Sequence, residues 1–261
     1  MNVDRSVLKQ DARRWMQRGR PNPILIGLIV FLLSWVLQYL ARGVLGLNFT
    51  ITLPTDRVMT EQQLMEFYHS VYQEFLDHFH PTIFSGLIAA ALLVMNLVVN
   101  VGLTIFSLHT TRGEKAEYGN LLDGFPIILR VVVLTVIRGA LVYLGFFLFV
   151  VPGVVLLYRY RQSLYLLIDH PERSPIECMR ASAVLMQGHK RELFLLDLSF
   201  LGWILLSMIA MQLFYVPLYV LLWPYQKLTY ANYYRSLLGE PVPVDAGSNP
   251  SEEDDPKEGP F

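Results

Sequence analysis

Residues Val151–Trp203, VPGVVLLYRYRQSLYLLIDHPERSPIECMRASAVLMQGHKRELFLLDLSFLGW, decide how this chain folds. Pro152-Gly153 reads as a helix break, because proline lacks the N–H that a helix interior needs and glycine tolerates turn backbone. A short apolar segment carrying Arg159 and Arg161 follows, then a charged amphipathic stretch. A second apolar run then opens with Asp197 about one turn inside it. Soluble cores are not built this way. The pattern is that of a polytopic membrane protein with a defined cytoplasmic face.

Composition agrees. The chain is 53% hydrophobic and 16% charged, where a soluble domain carries about 25% charged residues. Its mean hydropathy is +0.39. The net charge of -1 hides an asymmetry: six of the 21 Lys and Arg fall in the first twenty residues, while SEEDDPKE near the C-terminus is acidic. Such polarity points to membrane orientation rather than nucleic-acid binding, which would need a basic soluble domain. One cysteine, Cys178, excludes an intramolecular disulfide and a cysteine-only metal cluster. The apolar run 24–41 is too long for a signal-peptide core and has no clean cleavage site after it.

Runs of about 18–20 apolar residues match ~30 Å of hydrocarbon. They place spans at 24–41, 83–108, 126–151, 154–168, 193–211 and 217–236, six in all, with five the alternative if Pro217 does not divide the last stretch. The positive-inside rule tests this count. With a cytoplasmic N-terminus, seventeen of the 21 basic residues fall inside, only Arg42 and Arg57 fall outside, and Arg130 and Arg138 stay in the membrane. Both termini are therefore expected in the cytoplasm of a cell-membrane protein. The expected fold is an all-α transmembrane bundle with amphipathic interfacial helices.

Three segments outside the spans have helical periodicity. Residues 1–20 include a basic amphipathic segment suited to an anionic leaflet. Residues 60–79 form an external amphipathic helix opened by a Thr60–Gln63 capping box. Residues 174–187 form a cytoplasmic amphipathic helix with Ser174-Pro175 and Glu177 as its start signal. The stretch 239–261 is rich in Pro, Gly, Ser, Asp and Glu and reads as a disordered acidic tail.

Several motifs resemble a known family: NLLDGF at 120–125, VPG at 151–153, YRY at 158–160, SPIECMRASAVLMQGHK at 174–190, LFLLDLSFLGW at 193–203, WPY at 223–225 and NYY at 232–234. They are similar to the bacterial, Firmicutes-type integral-membrane family catalogued as "domain of unknown function 975", as is the N-terminal RSVLKQDAR. More loosely, the Pro-Gly turn and following Ser-bearing segment resemble the membrane domain of some glycerophosphodiester phosphodiesterases. The first resemblance implies a membrane location and a helical architecture and brings no catalytic residues with it. The family's glycine-rich turn after the fifth span is replaced here by QLFYVP at 212–217.

Charges within a membrane cost ~2.5–3.5 kcal/mol each on insertion scales, so they are the first residues to suspect of function. Arg130, Arg138, Arg159 and Asp197 are the candidates for a ligand or lipid-headgroup site. Asp197 paired with Arg159 or Arg130 would be a structural ion pair. An arginine-lined site would take an anionic headgroup, since the planar guanidinium suits phosphate. Proton or ion coupling through Asp197 is the third reading. Asn96 and Asn100, one turn apart, favour interhelical hydrogen bonds. Gly139 and Gly145 favour close helix approach. Glu74, Asp77 and His78 share a helix face, with His69 and His80 nearby, but match no metalloenzyme motif, and no metal or cofactor is expected. Cys178 is either a lipidation target or a buried small side chain. No phosphate-binding loop, GxSxG or other catalytic motif is present. The expected role is non-enzymatic: a module binding lipid or protein, with an anionic headgroup, a membrane-protein partner or a second copy as its partners. A small transporter or transporter subunit is the alternative, and an intramembrane enzyme the third.

Overall fold

The computed structural model describes residues 5–19, 21–46, 60–78, 82–214 and 219–240. The tail beyond 240, Pro217 with the break expected there, and Arg20, Arg57, Phe79 and His80 lie outside the described residues. Every regular element within them is helical: α1 (Arg5–Arg18), α2 (Pro23–Val44), α3 (Glu61–His78), α4 (Ile83–Arg112), a 3-10 turn (Tyr118–Leu121), α5 (Ile128–Leu148), α6 (Val150–Arg159), α7 (Ser163–Asp169), α8 (Pro175–Leu185), α9 (Lys190–Phe214) and α10 (Tyr219–Leu237). Among the described residues four helices are long and apolar enough to cross a membrane: α2, α4, α5 and residues 190–210 of α9.

Local chemistry sets the ends. Asn22 Oδ1 accepts from Ile24 N–H ahead of Pro23 at the start of α2. The Thr60–Gln63 box opens α3, and Thr82 with Ser85 opens α4. Ser174 and Glu177 cap α8 reciprocally, with Pro175 in its first turn, as SPIE predicts.

The segment expected to cross at 154–168 is two pieces, α6 and α7, interrupted at 160–162. The turn before it also differs from expectation. It falls at the extended Phe149, and Pro152 sits inside the first turn of α6, where a missing N–H has no helical partner to lose. Gly153 is used for packing rather than turning. A side chain there would run into the ring of Phe146, while a Cβ added at Gly145 would lie 3.0 Å from the Gly153 Cα on the opposed helix. Gly139, the other expected contact, has nothing near it. The tip of this hairpin is apolar and exposed, with Phe147, Phe149, Val150 and Val151 all facing outward.

Helix α10 is the hub. It packs on α1, α2, α4 and α9. Its Ala231 and Tyr234 join the core formed by α4, α5, α7 and α8, while its Leu222 and Tyr233 join the core with α1, α6 and α9. Trp223 reaches a third core between α2 and α4. The helix is polar for so buried an element: Gln226, Thr229, Asn232, Arg235 and Ser236 are all enclosed.

Helix α1 does not keep its apolar side for lipid. Leu8 and Ala12 are buried in the bundle. Asn232 donates to Asp11 at 2.8 Å, and the Lys9 ammonium lies 4.5 Å from the centre of the Phe200 ring. Burial first of all raises the Asp11 pKa.

The NLLDGF loop has a packing role. It folds back onto α4, and a Cβ at Gly102 would collide with the Leu121 backbone. Gly102→Ala is expected to lower stability by roughly 1–3 kcal/mol through overpacking. Gly86→Ala on the same helix, with nothing within 4 Å of the new Cβ, should instead raise it by about 0.5–1 kcal/mol. Thermal melts of both variants in one detergent check the pair, and equal shifts would contradict the packing assignment.

Candidate functional site

A cavity of about 620 Å³ lies between α4, α5, the α6–α7 break, α9 and α10. Thr104, Arg138, Arg161, Gln162, Asp197, Gln226 and Lys227 give it a polar wall. Phe194, Leu198, Leu201 and Ile204 of α9 give it an apolar one. Phe194, Leu198 and Leu201 are also well exposed on the outside of α9.

Three cations meet here. Arg138 projects from α5. Arg161 comes from the interruption between α6 and α7, its guanidinium 5.1 Å from the centre of the Tyr230 ring. The Lys227 ammonium donates to Thr104 Oγ1 at 2.9 Å. Arg161 lies within electrostatic reach of both Arg138 and Lys227.

One carboxylate lines the cavity, and it is occupied. Asp197 Oδ1 accepts from the Tyr230 hydroxyl at 2.6 Å and Oδ2 from the Tyr158 hydroxyl at 2.9 Å. The expected ion pair of Asp197 with Arg159 or Arg130 is therefore replaced by two phenol hydrogen bonds. Such donors hold a carboxylate in place without a cation, so the arginines beside it keep their charge available. Gln162 is almost wholly buried, and its Oε1 has no hydrogen-bond partner.

Of the residues expected at a site, Arg138 and Asp197 share the cavity. Arg130 and Arg159 are exposed and outside it. Arg130 sits in the first turn of α5. Arg159 lies over the Tyr160 ring, 5.9 Å from its centre. The end of α6 explains the exchange of Arg159 for Arg161. Arg159 is the last residue of α6 and is exposed, whereas Arg161 lies in the turn at 160–162, which carries it to the cavity.

Asn96 and Asn100 behave as their spacing predicts. Both donate to Ser34 of α2, at 3.3 Å to its carbonyl and 3.4 Å to its hydroxyl. They also line a second cavity of about 670 Å³, which Trp223 separates from the first.

Where α4, α7 and α10 end, charged side chains form a clasp. Arg112 makes two 2.8 Å hydrogen bonds to Asp169 and another at 2.8 Å to Glu240. Arg235 donates to the other Glu240 oxygen at 2.9 Å and to the Thr111 carbonyl. Tyr234 adds a 2.8 Å bond to Asp169. Cys178 is buried beneath α8, and burial pushes its thiol up, making it a poor nucleophile. Among the described residues no three His, Cys, Asp or Glu side chains come together in a way that could hold a metal ion.

Residues 1–240 match the family described as "Protein of unknown function (DUF975)". The chain belongs to that family. The DUF975 match takes in the cavity, the clasp and every described helix. No curated protein matches the chain, and no solved structure does. The looser likeness to the phosphodiesterase membrane domain rests on the sequence motifs alone.

Two outcomes follow from this geometry. Removing the shorter bond to Asp197 with Tyr230→Phe should cost roughly 1.5–3 kcal/mol, the usual range for a hydrogen bond to a charged group, measured as a loss of thermal stability. A change under a few tenths would show that the contact carries nothing. At Glu240, burial works to raise the pKa, but hydrogen bonds from Arg112 and Arg235 outweigh it and the value is lowered. A lowered carboxylate pKa stabilises the fold above the ordinary carboxylate range and loses that contribution as pH falls through the folded value. Glu240→Gln should therefore flatten the acid side of the melting-temperature profile and leave its alkaline side unchanged in slope.

Proposed function

We propose that this protein is a non-enzymatic membrane module that holds an anionic ligand, a lipid headgroup above all, in the Arg138–Arg161–Lys227 cavity. The observation that carries the reading is the charge arrangement. Three cations line one cavity, and its single carboxylate is held by two tyrosine hydroxyls. Arginine pairs bind phosphate oxygens through parallel N–H donors, and lysine adds a point charge. A binding role suits this set better than catalysis, since among the described residues no histidine or cysteine lines the cavity and the one carboxylate that does is already engaged.

The same reading includes six passages of the cell membrane with both termini cytoplasmic. Supporting it is the clasp, which brings together the ends of α4, α7 and α10. Helices ending side by side at a polar cluster fit a chain that returns to one face each time. On this reading α6 and α7 cross as two pieces, and α10 crosses shielded from lipid by its neighbours. The loop-charge bias then assigns that face to the cytoplasm. Transport of an anionic ligand is the second reading, favoured by the second cavity beyond Trp223.

Native mass spectrometry of the protein purified from membranes tests the site. Arg138→Gln, Arg161→Gln and Lys227→Met should each reduce co-purifying anionic lipid, while Arg130→Gln and Arg159→Gln should not. Equal retention across all five variants would sink the cavity assignment. A reporter fused after Phe261 tests the topology: signal from the far side of the membrane would overturn the even count.

A further inference from the structure

We infer that the cavity selects a phosphomonoester, a doubly charged phosphate, over the singly charged phosphodiester of ordinary phospholipids. This rests on the anionic-ligand reading and sharpens it. The charges set the preference. Arg138, Arg161 and Lys227 contribute three positive charges and Asp197 one negative, leaving an excess of two at the cavity wall. The Asp197 charge is fixed by Tyr158 and Tyr230 and does not neutralise either arginine through an ion pair. A phosphomonoester carries about -1.5 to -2 at pH 7, because its second ionisation lies near pH 6. A diester carries a single charge and would leave one cation of the set uncompensated.

Gln162 is 1% exposed, lines the cavity and has an unpartnered Oε1. A buried acceptor of this kind takes a donor from the occupant or from a water bound with it, whichever phosphate ester enters. Phe194, Leu198 and Leu201 line the cavity and also face outward on α9, so a chain attached to the phosphate has an apolar surface to follow into the bilayer. The cavity also sits toward the polar end of α4, with Thr104 about two turns from Arg112. There the phosphate of an inner-leaflet lipid would meet the cations without crossing hydrocarbon.

The test uses the full-length protein with phosphatidic acid and phosphatidylglycerol of matched acyl chains, in competition, read by native mass spectrometry. At pH 7 phosphatidic acid should be preferred about tenfold. At pH 5, where it is a monoanion, the preference should vanish. Lys227→Met should abolish the preference while phosphatidylglycerol still binds, and Lys227→Arg should restore it, which separates a charge effect from a folding defect. Millimolar inorganic phosphate serves as the second arm. If it displaces phosphatidic acid, and the protein holds phosphate without lipid, the phosphomonoester chemistry stands with a soluble occupant. Equal binding of the two lipids at pH 7 would overturn the selectivity and leave the anionic-ligand reading in place. Binding of neither lipid nor phosphate, by protein that melts cooperatively, would overturn both.

Discussion

The bidentate contact between Arg112 and Asp169, extended through Glu240 to Arg235, fixes where three helices end. Charged pairs of this kind gain by geometry what they lose by leaving water, and they are strongest when both guanidinium edges and both carboxylate oxygens are used. Every nitrogen of Arg112 is used here, and both oxygens of Glu240. The consequences reach the cavity. Asp169 ends α7, so it sets the position of the interruption that presents Arg161 and Gln162. Glu240 and Arg235 close α10, and with it they set the height of Lys227 and Tyr230. The clasp and the cavity are one mechanical unit, joined through two helices.

Helix α10 poses the energetic problem that the rest of the bundle solves. A helix with buried Gln226, Thr229, Asn232 and Arg235 would be costly in contact with lipid. Surrounding it with α1, α2, α4 and α9 removes that contact and gives its side chains partners: Asp11 for Asn232, Thr104 for Lys227, Asp197 for Tyr230, Asp169 for Tyr234. The outer helices can then be almost uniformly apolar, as α2 and α5 are. Polar inside and apolar outside inverts the arrangement of a soluble domain, and the same desolvation argument explains both.

How far the sequence discloses this depends on which physical signal is local. Apolar length locates α2, α4, α5 and α9 because it is a property of the segment itself. SPIE and Thr60–Gln63 locate helix starts because a cap is satisfied within four residues. The α6–α7 break, by contrast, contains neither proline nor glycine at 160–162. Its cause is tertiary, so Arg159 rather than Arg161 stands out in the sequence. Charge rarity finds Arg138 and Asp197 but cannot say that Asp197 meets two tyrosines, because phenols are common in such helices and only one geometry reaches the carboxylate. Lys227 is hidden for another reason. It sits in a helix less apolar than α2, α4, α5 or α9, where a lysine reads as the solvated end of a span.

The seat of α1 has a consequence for the chain's history as it is made. Asp11 and Asn232 are 221 residues apart, so α1 waits for α10 before its seat is complete. Until then Leu8 lacks Leu222 and Tyr233 from its core. An element closed by one so distant in sequence completes its packing in a late step. A ribosome that stalls before α10 would leave a product with its polar core helix missing and its N-terminal helix unseated. The docking of α1 therefore reports that α10 is in place.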